Sequence, residues 1–174
     1  MSISLYDISI PTCLRMLGSL STILDKGAAH AEARKIDPAA LLQARLFPDM
    51  FPLARQVQIA SDAAKGGGSR LAGIDAPSWP DNEASFADLQ ARISKTQDFL
   101  KSLDRAKIDA SAAREITFKA GKTTRTMTGL DYVTAWMFPN FFFHVTTTHA
   151  ILRHNGVEVG KMDFLGKLPG TSSV

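Results

Sequence analysis

Apolar residues recur along this chain in steps of three and four. Ile10, Cys13, Leu14, Leu17, Leu20, Leu24 and Ala28 form one such series, which predicts an amphipathic helix from Ser4 past His30, with Pro11 in its first turns or bending it. Asp37 followed by Pro38 reads as an acid cap with proline at the first helical position, so a second helix starts there and carries Leu41, Leu42, Ala44 and Leu46. Pro48 and Pro52 forbid its continuation. A restart capped by Asp49, with Pro52 in the first turn, would hold Leu53, Val57, Ala60, Ala64 and Leu71, and Gly66, Gly67 and Gly68 would weaken it by about 1 kcal/mol each relative to alanine. Residues 73–82 read as a loop. Phe86, Leu89, Ile93, Thr96, Leu100 and Leu103 then predict a third long helix, started by Asp81.

The period changes after Asp104. Residues 116–119 and 124–127 alternate as two short strands around a turn at 120–123. A last helix spans 128–156, opened by Thr128 and Asp131 as a capping box with the shorter acid and closed by Asn155 and Gly156. Pro139 inside it requires either a kink or a restart with the proline in the first turn. An ordered turn follows to Phe164 and Leu165. The reading is all-α: a four-helix bundle with a small β-hairpin between helices three and four, occupying residues 1–166, followed by a flexible tail at 167–174.

Composition narrows the function classes. A chain of 174 residues with 45% hydrophobic and 21% charged side chains suits one folded domain. Its 20 basic and 17 acidic groups are interspersed, and the only local basic cluster, Lys119, Lys122 and Arg125, suits a solvated turn, which argues against nucleic acid as a partner. The single Cys13 excludes an intrachain disulfide and a CxxC motif, and points to a cytoplasmic protein. No apolar run approaches the roughly 20 residues of a bilayer span, and the sequence from Ser2 onward lacks the basic start of a signal peptide, so no membrane role is expected.

Candidate chemistry gathers on the last helix. Tyr132, Trp136, Asn140, His144 and Thr148 fall on one i,i+4 row, which makes either a lined pocket or an amphipathic seam. His144, His149 and His154 are five residues apart, leaving successive rings about 140° apart around the axis, so neighbours cannot grip one ion. Asn140 and His144 do share a face, and Asp49 is placed to meet them from across the bundle. Such a trio is a weak donor set, and neither metal nor other cofactor is expected.

His144 is then either a buried ring bonded to a carbonyl or to Asn140, or a base, proton donor or ligand contact. Asp49 is a helix cap or a carboxylate partner. Tyr132, Trp136, Phe141, Phe142 and Phe143 are core or ligand cage. Arg45, Arg55 and Gln56 are placed to line the same space, while His30, His149 and His154 belong to the surface. GxGxxG, GxxxxGK[ST] and GxSxG motifs are absent, and no pattern names a reaction.

Two blocks, DPAALLQARLFPDMFPLARQVQIASDAAKG and PNFFFHVTTTHAILRHNGVEVGKMDFLG, closely resemble a domain-of-unknown-function branch of the DinB/YfiT-like superfamily. The likeness extends over residues 1–166. It implies a four-helix bundle, often dimeric, in a superfamily whose members use a three-histidine divalent metal site for thiol-dependent transferase or isomerase chemistry. Carried onto this chain, His144, Arg153 and Gly156 match that motif, Asn140 stands where the first histidine of the last helix would be, and the helix-two histidine has no counterpart nearer than Asp49. The metal site is therefore degenerate.

The expected protein is a homodimer with a small-molecule pocket between helices two and four. His144 and Asp49 would be its catalytic pair, and Asn140, Gln56, Tyr132 and Trp136 its ligand contacts. The alternatives are a metal-assisted thiol-dependent transferase, a metal-free isomerase or cyclase, and a structural module whose Tyr132 and Trp136 face packs on a second subunit.

Overall fold

The computed structural model describes residues 4–168 and 170. The expectations of a domain from residue 1 and of a flexible tail at 167–174 therefore fall partly outside the described residues. Helix α1 (Leu5–Arg34) starts where the Ser4 hydroxyl accepts the Asp7 N–H at 3.0 Å, and it carries Pro11 without a break. Ile10, Cys13, Leu17, Leu20 and Leu24 of the predicted stripe are fully buried. Asp37 caps α2 (Pro38–Leu42), as the sequence requires.

That helix stops at Leu42, short of the expected Leu46, and residues 43–52 stay irregular because two prolines interrupt them. The next helix, α3 (Leu53–Ala72), begins after the second proline, with Pro52 at the cap position and no side-chain cap. Asp49 is thus an exposed turn residue and caps nothing.

Helix α4 (Phe86–Lys101) opens with a reciprocal capping box between Ser85 and Asp88, not with Asp81, which pairs with arginines instead. The short α5 (Arg105–Asp109), capped by Asp104, was not foreseen. Strands β1 (Glu115–Ala120) and β2 (Thr123–Thr128) pair antiparallel with Ala120 opposite Thr123, leaving a two-residue turn at Gly121 and Lys122, tighter than the expected four. The final long helix is composite: α6 (Gly129–Asp131), a π-helical segment (Tyr132–Met137) and α7 (Phe138–His154). Helix α8 (Lys161–Leu165) folds back on α1.

Four long helices, α1, α3, α4 and the composite one, make the bundle, and its most extensive pairing is α3 with α7. All three glycines read as weak points are buried, and Gly67 and Gly68 are close-approach positions. A Cβ on Gly67 would lie 2.5 Å from Met137 Sδ and 2.7 Å from its Cγ, and one on Gly68 would lie 2.6 Å from Leu103 Cδ1. Helix propensity is given up here for short distances between helices.

A mesh of charge fastens the connection between α3 and α4. Arg92 of α4, with a side chain 2% exposed, pairs with Asp62 (2.9 Å), Asp81 (2.9 Å) and Glu83 (2.8 Å), and donates to the Pro80 carbonyl at 3.2 Å. Asp81 also pairs with Arg55, and Glu83 accepts from Gln58 at 2.8 Å. A buried guanidinium is tolerated only when carboxylates surround it, and here they come from the helix and the loop it must hold.

Two tests follow from the packing. Gly129→Ala drives its methyl into the Ser111 carbonyl, a backbone group that cannot swing aside, and Gly67→Ala meets Met137; each should cost about 1–3 kcal/mol in urea denaturation. Gly66→Ala meets only the end of the Arg70 side chain, and the gain in helix propensity should leave it neutral or more stable by up to about 1 kcal/mol. Arg92→Ala should cost about 2–3 kcal/mol, less than for a fully buried pair because Asp62 and Asp81 remain partly in water.

Candidate functional site

The packing of α7 on α3 sets His144 against Gln56. His144 Nδ1 lies 2.7 Å from Gln56 Oε1, and Gln56 Nε2 donates to the Phe51 carbonyl at 2.9 Å. The second bond orients the first. With its amide N–H₂ turned to Phe51, Gln56 presents oxygen to the ring, so Nδ1 carries the proton and neutral His144 keeps a lone pair on Nε2. Nε2 has no hydrogen-bond partner among the described residues, and the ring is half-buried.

Burial, and then the nearby positive charge of Arg55, hold the imidazole pKa below its usual value. Both act against the charged form. Gln56 itself is buried, so its two bonds fix the amide rigidly. Aromatic rings flank the pair: Phe143 stands edge-on to the imidazole at 5.2 Å, and the Arg55 guanidinium lies 5.9 Å from the Phe51 ring centre.

Of the residues singled out from sequence, Gln56 bonds the His144 ring, and Thr148 donates to the His144 backbone carbonyl at 2.9 Å. Asn140, the expected partner, donates instead to the Trp136 carbonyl on its own helix at 2.7 Å. Asp49 makes no hydrogen bond to either His144 or Gln56.

Tyr132 belongs to another part of the molecule. It is buried, its hydroxyl accepts from Arg70 at 3.1 Å, and its ring meets Phe118 at 5.0 Å, as does Trp136. In the π segment the Phe138 N–H reaches the Val133 carbonyl, five residues back, so each residue before it is rotated by roughly 100° from the straight row. At 1.5 Å per residue, Tyr132 is also roughly 18 Å along the axis from His144.

His154 is exposed and His30 half-exposed. His149, expected at the surface, is half-buried, bonded to the Gly160 carbonyl at 3.2 Å and packed on Phe164. Arg45 donates to the Met50 carbonyl at 2.5 Å and so stays on its own loop.

No group of three or more His, Cys, Asp or Glu among the described residues is arranged to hold a metal ion. One imidazole, an amide bonded to its own helix and a carboxylate with no bond to either do not fit a three-ligand divalent site. The principal surface clefts, of 310 to 590 Å³, lie elsewhere: one is bordered by Trp79, Arg92 and Lys95, another by His149, Arg153 and Lys161, and none by His144 or Gln56.

Sequence reasoning gave Phe143 to the core or to a ligand cage, and it is 55% exposed. Three consecutive phenylalanines sweep about 200° of a helix, so one had to face outward, and that signal was available.

The sequence matches the family model of a domain of unknown function, DUF1993, over residues 5–165. It is 41% identical to a solved structure of a DinB family member protein from Shewanella denitrificans, covering 97% of this chain and 96% of that one with a TM-score of 0.89. No curated protein matches it.

The lowered pKa of His144 has a definite sign in stability. Above the unfolded value near 6.5 both states are neutral and nothing is lost; below it the unfolded chain takes up a proton that the native ring refuses, until the folded value is passed. Stability should therefore fall as the pH drops through the unfolded value near 6.5 and flatten once the lower folded value is passed, and His144→Gln should remove that component from the urea midpoints. Arg55→Gln should raise the His144 pKa, observable by NMR titration of the ring protons.

Proposed function

We propose that this chain, which belongs to the DUF1993 family and shares its fold with a DinB family member, is a cytoplasmic homodimer that binds a small molecule at His144 without the three-histidine metal site. The observation that supports this reading is the 2.7 Å contact of His144 Nδ1 with Gln56, because it leaves Nε2 as a fixed acceptor. A ligand O–H or N–H meets that lone pair, and Phe51 and Phe143 offer apolar surface beside it.

The partner atom decides what the ring can do. A carboxylate behind Nδ1 would stabilise an imidazolium; a neutral amide does not, and the Arg55 charge opposes it. His144 therefore suits accepting a hydrogen bond and orienting a ligand more than holding an abstracted proton. The reading in which Asp49 shares acid and base duties with it has no bond to support it. The reading in which Tyr132 waits for a second subunit to cover it meets a side chain already buried within one chain.

The test uses protein purified without chelator. Metal analysis should give well below one equivalent of any divalent ion, and a stoichiometric zinc, nickel or manganese would overturn the proposal. In thermal-shift screening of small hydrogen-bond donors, compounds that stabilise the wild type should lose their effect with His144→Gln. Gln56→Leu should weaken it by roughly tenfold or more, since the ring loses its fixed tautomer. Equal responses from all three proteins would sink the assignment.

A further inference from the structure

We infer that the loop between α2 and α3, together with Phe143 of α7, is the surface on which a second copy of this chain packs, and that the second copy closes over His144. This rests on the homodimeric reading above and adds where the contact lies. Four of the large apolar residues that remain in water belong to this one region: Phe47 (64% exposed), Phe51 (55%), Phe143 (55%) and Leu46 (40%). They are not scattered. Phe51 is tied through its carbonyl to Gln56, Gln56 to His144, and the His144 ring to Phe143. Exposed aromatics around a desolvated polar centre have the composition of an interface core, and a patch of this kind on a monomer calls for an occupant.

Charge identifies the occupant. Arg45 and Asp49 stand four residues apart on the same loop, and neither forms an ion pair within the described chain. Arg55, the other cation here, is neutralised by Asp81. The loop thus offers beside apolar surface one anion and one cation without an ion-pair partner in the described chain, Arg45 being held only by the neutral Met50 carbonyl. A strongly acidic or basic partner would find no net field. A second copy turned by a twofold axis finds a match, because in an isologous contact Arg45 of each copy can face Asp49 of the other. The same arrangement accounts for an open His144: the missing wall of the site is supplied by the partner copy. Elsewhere the exposed apolar residues are spread over separate elements, as with Ile74 after α3, Leu130 in α6 and Met162 in α8, and none has such a neighbourhood.

Sedimentation velocity of the full chain over a wide concentration range tests this. The wild type should associate as a dimer. Phe51→Ser with Phe143→Ser should weaken association by at least about tenfold, and both positions are exposed, so the fold should persist by circular dichroism. Asp49→Arg should also dissociate the dimer, and adding Arg45→Asp should restore it, because the exchanged charges again face each other across the axis. Restoration by the double exchange supports the placement. A dimer indifferent to all these changes, or one that the double exchange fails to restore, overturns the placement and leaves the homodimer itself standing. A wild type that stays monomeric throughout overturns both.

Discussion

Helix α3 is buried along most of its length while carrying Gln56, Gln58 and Lys65 among its buried residues, and the molecule is arranged around satisfying them. A polar group removed from water without a partner costs on the order of 1–3 kcal/mol, so each such side chain dictates what must lie opposite. Gln56 fixes the preceding loop with one end of its amide and α7 with the other. Gln58 reaches Glu83, and Lys65 pairs with Asp62 at 2.8 Å beneath the Trp79 ring, which draws the 73–85 connection across two helices. Further along, Arg70 meets the Tyr132 hydroxyl. Apolar packing supplies the general attraction, but this series of bonds sets which faces meet.

The composite last helix shows how one backbone choice redistributes chemistry. Pro139 lacks an N–H, and in a regular helix its ring would strike the carbonyl four residues back, at Ala135. The chain widens before it, with Tyr132–Met137 in π geometry, and α7 starts with the proline in its first turn. The sequence left open a kink or a restart; the backbone instead stays helical through Met137 and Phe138, and the π segment accommodates the proline. Its consequence is separation: Tyr132 and Trp136 turn to Phe118 of the hairpin, while His144 faces α3.

The bundle and the hairpin were legible because periodicity and turn chemistry act locally, and the family was legible from the resemblance of two blocks. Asp37 capped as expected because its acceptor and the following proline are adjacent in sequence. The misread starts, Asp49 for α3 and Asp81 for α4, share a cause. Each acid looks like a cap locally, yet one sits between two prolines and the other is drawn to Arg55 and Arg92 by tertiary packing. The phase of the last helix was unreadable for a related reason, since a π turn adds one residue without any mark in composition. The dispersal of His149 and His154 away from His144 was readable, because residues 144–154 are regular helix.

The group behind the imidazole bears on its chemistry as much as the residues in front. Histidines that hold metals gain basicity when Nδ1–H points at a carboxylate, whereas an amide carbonyl orients the ring without adding negative charge. Gln56 fixes the ring, and Arg55 opposes its charged form. The same two residues make the ring an acceptor, because an imidazole with a lowered pKa keeps its lone pair to a lower pH than a free one. On the proposed reading, the arrangement therefore suits a ligand's neutral hydrogen-bond donor, which meets Nε2 on a ring already oriented from behind.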